Sequence, residues 1–282
     1  MDISHLKTFL EIYKTRHFRK SAEKLFITQS AASARIKLLE DRLGVALFTR
    51  DKRNIEPTPA AHRFFKYAEM VVTGWDQAKQ VVALPDEYEL SISIACMADI
   101  WHLFLKNWIV EIKDQRPEFA FNLMINQSHD VSDLLINGAL DLGFVFEPIQ
   151  LPSIEAHEVL EFEIKLFSTT PNQTPEQALD KNYIKIDWGV SFEYEYSQEY
   201  KDQAISNVRT NYGLMAIDIM KDNGGAAYLP DLSPLQNDPT LPLYEVENAF
   251  IFKRKLYALY RKDTEVHENI AEIINTIKSI IA

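Results

Sequence analysis

Apolar and polar positions follow two rhythms along the chain. Up to about residue 84, apolar residues recur every three or four positions, the spacing of amphipathic helices. Leu6, Phe9, Leu10 and Tyr13 predict a first helix. Ser21 to Phe26 predict a short second helix burying Ala22 and Leu25, broken by "ITQS". Thr28 can cap a third helix, whose inner arc at ~100° per residue holds Ala32, Ile36, Leu39 and Leu43. Gly44 is placed to end it in a left-handed turn. "LFTRDKRNIEPT" then reads as a small hairpin with Arg50, Lys52 and Arg53 at its tip. Pro59 suits the first turn of a long helix reaching about Leu84, and "ALPDEYE" closes it.

From residue 88 the rhythm changes. "ELSISIAC", "EFAFNLMI", "DLGFVFE", "FEIKLFST", "YIKI", "GAAYLP" and "KLYALYR" read as strands. "ADIWHLFLKNWIVEIKDQRP", "SHDVSDLLINGAL" and the final "EVHENIAEIINTIKSII" read as helices. Strands alternating with helices predict an α/β domain. "FEYEYSQEY" reads as a solvated edge or loop, and Gly224-Gly225 as a turn from helix into strand.

The outward face of the third helix carries a different chemistry. Gln29 stands at its entrance, Arg35 flanks the inner arc, and Ser30, Ser33, Ala34 and Lys37 point away from it. Short side chains permit close approach to a major groove, amides and hydroxyls meet base edges, and cations meet phosphates. The charge distribution agrees. The chain carries a formal −11, yet residues 1–66 hold fourteen Lys and Arg against seven Asp and Glu, a surplus of seven. The remainder therefore carries −18, so a polyanion partner is expected for the head alone. Two helices joined by a tight turn, the second bearing this face, form a helix-turn-helix, with the hairpin as a wing. Composition alone leaves open a plain three-helix core with a solvated face.

The motif narrows the choice. Ala22, Leu25, Thr28-Gln29-Ser30-Ala31, Ser33, Ile36, Leu39-Glu40, Leu43-Gly44, Leu47-Phe48, Arg50, Arg53, Ile55 and Thr58-Pro59-Ala60 together resemble the LysR-type transcriptional regulators. Ser21, Pro57 and Ala61 depart from the usual pattern, and Leu38 puts an apolar group near the exposed face. The resemblance implies an α/β multidomain protein in three parts. Residues 1–58 would be a winged helix-turn-helix DNA-binding domain with Thr28, Gln29, Ser30, Ser33, Ala34, Arg35, Lys37, Arg50, Lys52 and Arg53 at DNA. Residues 59–87 would be a dimerising linker helix. Residues 88–282 would be a two-lobed effector domain resembling a periplasmic binding protein. Lobe I would take about 88–162 and 265–282, and lobe II about 163–264, with crossings near Glu161 to Lys165 and Arg261 to Glu265. "LKTFLE", "TRHF", "LFTR", "DWG" and "YLP" further resemble the subgroup of H-NS-dependent regulators of the flagellar master operon. That likeness implies a modulator of motility genes.

In the long helix, Ala61, Phe64, Ala68, Val71, Trp75, Ala78 and Val82 step by three and four, an a/d seam. Either a second copy covers it, matching a dyad operator, or it packs on its own head. The resemblance implies a homodimer, with a homotetramer built from two, double-stranded DNA as partner and RNA polymerase as a further one. It also implies a small-molecule effector, of a chemistry the sequence does not name.

Ligands in such folds sit at strand carboxyl ends against helix N-termini. The matching residues are Cys96, Met97, Ala98 and Trp101, then Gln127 and Ser128, then Phe146, then Thr210 and Asn211. Each apolar one among them equally suits ordinary core. Much of the family offers a hydroxyl at the first stretch, and this chain has Asp99 instead. An acid there competes with any anion for the helix dipole, so a small carboxylate effector is not expected. Catalytic residues, cofactors and metals are not expected either: there is no phosphate loop or G-x-S-x-G, the seven histidines lack ligand spacing, and Cys96 stands alone. An enzymatic or solute-binding α/β protein remains the alternative class, and the basic head disfavours it. The lack of a membrane-spanning run or signal-like start makes a cytoplasmic location the default.

Overall fold

Side-chain caps set where the first helices begin. Asp2 accepts from Ser4 N at 2.7 Å and opens α1 (Ile3–Thr15), holding its carboxyl below the ordinary range. His17 Nδ1 accepts from Lys20 N and opens α2 (Phe18–Lys24). Thr28 Oγ1 accepts from Ala31 N and opens α3 (Gln29–Leu43), which ends at Gly44 with φ +69°. The wing strands β1 (Phe48–Arg50) and β2 (Ile55–Pro57) pair antiparallel, Phe48 opposite Pro57. Thr58 caps α4 (Pro59–Val82), with Pro59 in its first turn. The computed structural model describes residues 2–50, 55–148, 150–180, 182–201, 206–231, 241–264 and 267–281. It divides into two units, Met1–Asp86 with Asn137–Ala139, and Glu87–Ile136 with Leu140–Ala282.

The core of the first unit gathers Leu6, Phe9, Ile12, Ala22, Ala32, Ile36, Leu39, Leu47, Phe48, Ala61 and Ala68. Phe9 is its hub, its ring 5.7 Å from that of Phe48 and 5.2 Å from that of Phe64. Two sequence expectations shift here. The second helix begins at Phe18, which is buried, and ends before Phe26, which is 96% exposed at φ +54°. The inner arc of α3 stops at Leu39: Leu43 is 37% exposed because the chain turns out at Gly44 one residue later.

The second unit begins with β3 (Leu90–Cys96), α5 (Ala98–Ile100), a π-helical turn (Trp101–Leu105) and α6 (Lys106–Gln115). There follow β4 (Phe119–Ile125), α7 (Ser128–Ile136), β5 (Leu142–Val145), β6 (Ile154–Ser168), α8 (Pro175–Ala178), β7 (Ile184–Ile186) and α9 (Val190–Glu199). It closes with β8 (Val208–Thr210), α10 (Gly213–Asn223), β9 (Ala226–Pro230), β10 (Tyr244–Glu245), β11 (Phe252–Arg261) and the final helix, His267–Ile281. One sheet has the order β10-β6-β11-β5-β3-β4, with β9 also on β6, and β7 pairs with β8 in a second. β3 is parallel to β4 and β5, while β11 runs antiparallel beside Ile154 to Ile164 of β6.

Two elements differ from the sequence reading. "FEYEYSQEY" belongs to helix α9, with Phe192 and Tyr196 buried. Its alternation of aromatics and glutamates imitates a period of two, but the burial falls at i and i+4. β6 starts eight residues before "FEIKLFST" and takes in "IEAHEVLE". Within the β6–β11 pair, Glu161 lies opposite Lys255. Glu265 lies outside the described residues.

Candidate functional site

In α3, Ala32, Ile36 and Leu39 are fully buried, and the opposite side is left to solvent. Thr28, Gln29, Ser30, Ala34 and Lys37 are exposed, and Ser33 is half-buried. Ser30 Oγ lies 3.0 Å from Thr28 Oγ1, the oxygen that also caps the helix. Arg35 is half-buried and turns to α1, Nη1 donating to Thr8 Oγ1 at 3.3 Å. Leu38 is 49% exposed. Arg50 ends β1, and Lys52 and Arg53 lie outside the described residues.

Glu40 holds the wing to this helix, its Oε1 accepting from Leu47 N at 2.7 Å and Phe48 N at 3.2 Å. Thr58 continues the tie: its hydroxyl donates to Ala46 O at 2.8 Å while capping α4. Several basic residues of the head are engaged within it. Lys7 pairs with Asp76, Lys14 with Glu69 and Lys24 with Glu11. His62 accepts or donates at 2.6 Å with Tyr13 Oη.

The apolar stripe of α4 splits in two. Ala61 and Ala68 are buried in the head, and Phe64 is half-buried against Phe9. The seam assigned to Phe64 and Ala68 is therefore spent on their own core. Farther along, Val71 is 46%, Trp75 51% and Val82 86% exposed, with Ala78 exposed between them.

The residues named for an effector lie in different surroundings. Phe146 is core, its ring 5.6 Å from Phe162 and 6.0 Å from Trp188. Thr210 turns into its own loop, its hydroxyl accepting from Tyr212 N. Gln127 and Asn211 are exposed, and Met97, Ala98 and Ser128 half-buried. Of these residues only Cys96 and Trp101 line a cavity of about 230 Å³, shared with Ile94, Leu105, Trp108, Leu123, Met124 and Ile125. Burial pushes the Cys96 thiol up to about 12 against a bond to the Trp101 backbone, which opposes redox chemistry at neutral pH.

Two acids just past the ends of β3 and β5 do something else. Asp99 Oδ1 accepts from Gly213 N at 2.8 Å, at the first residue of α10. Glu147, just past β5, accepts from Val190 N at 3.1 Å and Ser191 N at 2.6 Å, at the start of α9. Asp99 therefore serves another helix rather than competing at its own. Burial raises its carboxyl to about 7, against the Gly213 bond.

Comparison with known proteins decides the family. The model for bacterial regulatory helix-turn-helix proteins of the lysR family matches residues 3–62, and that for the LysR substrate binding domain matches residues 85–280. The chain belongs to the LysR family. It is a DNA-binding transcription regulator, as its curated relatives are, and not an enzyme. The HTH-type transcriptional regulator HdfR of Yersinia enterocolitica is 33% identical over 287 residues, covering 98% of this chain and 96% of that one. HdfR of Yersinia pestis is 30% identical over 286 residues with the same coverage. Among solved structures, the LysR regulator CbnR matches with a TM-score of 0.75 at 15% identity over 99% of both chains. Full-length CbnR in complex with its target DNA matches at 0.72 and 17% identity over all of both chains.

Within this LysR regulator, sequence reasoning missed Glu40, Asp99 and Glu147 as positioning residues. Glu40 carries a local signal, an acid just before a helix end and a following strand. Asp99 and Glu147 carry none, since their partners lie 114 and 43 to 44 positions away. Among the described residues no helix is long and apolar enough to cross a membrane, and no group of His, Cys, Asp or Glu is arranged for a metal.

Proposed function

We propose that residues 1–58 dock the outward face of α3 into a major groove, with Thr28, Gln29, Ser30, Ser33, Ala34 and Lys37 at base edges and phosphates. Arg50, Lys52 and Arg53 reach the flanking backbone. The observation that carries this reading is the exposed small and polar face of α3 backed by fully buried Ala32, Ile36 and Leu39. Arg35 acts from behind, through Thr8. Residues 59–87 join two copies through Val71, Trp75, Ala78 and Val82, and the pair reads an interrupted dyad, one α3 per half-site. A pair of such dimers makes a tetramer. Residues 88–282 are the regulatory domain, with contacts to RNA polymerase at the promoter, and the protein works in the cytoplasm. The flagellar-operon likeness of "LKTFLE", "TRHF" and "DWG", together with the match to HdfR, supports motility genes as targets. Genome-wide footprinting tests this: protected interrupted dyads upstream of motility genes support it. Protection without a dyad overturns the dimer reading, and dyads confined to other genes overturn the target.

A further inference from the structure

The start of a helix favours an anion, because its first N–H groups lack intrahelical partners and the dipole points its positive end there. In the regulatory domain two such starts face the C-terminal side of the main sheet, those of α9 and α10, and both already hold a carboxylate of the chain. Glu147 takes Val190 N and Ser191 N, and Asp99 takes Gly213 N. A glycine lies against each carboxylate. A Cβ at Gly189 would stand 2.9 Å from Glu147 Cδ, and φ there is +102°. A Cβ at Gly213 would stand 3.1 Å from Asp99 Oδ1.

The "DWG" motif builds the space between the seats. Asp187 Oδ1 accepts from Gly189 N at 3.0 Å and shapes the turn into α9. Trp188 is buried and anchored by its indole N–H to Tyr228 O at 2.8 Å. Its ring lies against Phe146, the neighbour of Glu147, and beside the Cα of Gly213. One tryptophan thus packs behind both carboxylate seats.

We infer that the regulatory domain is self-liganded: Glu147 and Asp99 occupy the helix starts that would otherwise bind an anionic effector, and hold the β3–β5 side to the α9–α10 side without one. This rests on the reading of residues 88–282 as the regulatory domain. The physical ground is competition. A carboxylate carried on the same chain acts at an effective concentration of millimolar or above, and is already oriented. A free anion gains no new contact by replacing it. The effector class excluded at these two helix starts is the small carboxylate or oxyanion.

The test uses the full-length protein without DNA, with acetate as probe and chloride at equal ionic strength as control. Wild type is expected to show no saturable rise in melting temperature with acetate. Glu147→Ala is expected to melt lower, to exchange the Val190 and Ser191 amides at least about tenfold faster, and to regain stability saturably with acetate. Glu147→Gln, which keeps one acceptor, and Gly189→Ala, which displaces the carboxylate without removing it, give the same exchange readout if the truncation fails to fold. Acetate stabilising wild type as much as Glu147→Ala would overturn the inference, as would unchanged exchange at Val190 and Ser191 in all three variants. DNA binding by the same wild-type sample reports separately on the regulator reading, so the two fail independently.

Discussion

Arg35 reaches back to Thr8, 27 positions earlier, and its Nη1 lies 3.3 Å from a hydroxyl that itself donates to Ser4 O at 2.7 Å. The guanidinium ties α3 to α1. Arg35→Met should lower stability by about 1 kcal/mol, the value of one partly buried hydrogen bond. Urea denaturation measures this. DNA affinity should fall through orientation, so Arg35→Lys should restore only part of it.

Glu40 governs the wing. Removing its carboxylate in Glu40→Ala leaves the Leu47 and Phe48 amides without their acceptor, at a cost of about 1–3 kcal/mol. Amide exchange at both positions should rise well above that of Ile36, which lies in the untouched core of α3.

The outer half of α4 is expected to hold the dimer. Trp75→Ala should raise the dimer dissociation constant by at least about tenfold, read by sedimentation equilibrium. Phe64→Ala should act on the stability of the head instead, because Phe64 packs on Phe9. Equal effects of both on assembly would refute this division of the stripe.

Asp99 makes stability depend on pH. Its carboxyl titrates at about 7 in the folded chain against 3.8 as its ordinary value, because burial disfavours the charge. Between these values the folded chain keeps a proton that the unfolded chain has lost, so this group's contribution declines as pH rises from about 4 to 7 and is flat above. Melting temperatures of wild type and Asp99→Asn should therefore diverge across that window, the wild type losing more. Parallel curves would contradict the assignment.

Much of the head was legible because its signals are local. Ala32, Ile36 and Leu39 follow a helical period, Thr28 caps, and Gly44 stops. The strands β3, β4, β5 and β11 were likewise legible as short apolar runs bounded by turns. What was hidden depends on distant partners. Phe64 and Ala68 look the same as Val71 and Trp75 in a heptad, and only packing on Phe9 tells them apart. The effector residues were placed by strand ends alone, which cannot show that Phe146 turns into core or that Glu147 reaches α9. Helix α9 was misread because glutamates alternate with its aromatics, so only burial at Phe192 and Tyr196 reveals its period.

The central claim is that the exposed face of α3 meets DNA. Its most direct test is the affinity of the full chain for an operator duplex, measured across salt concentrations, for wild type and Lys37→Ala. The account predicts weaker binding by the variant, a log–log salt slope smaller by about 1, and unchanged preference among operators. The same affinity and the same slope in both proteins would contradict it.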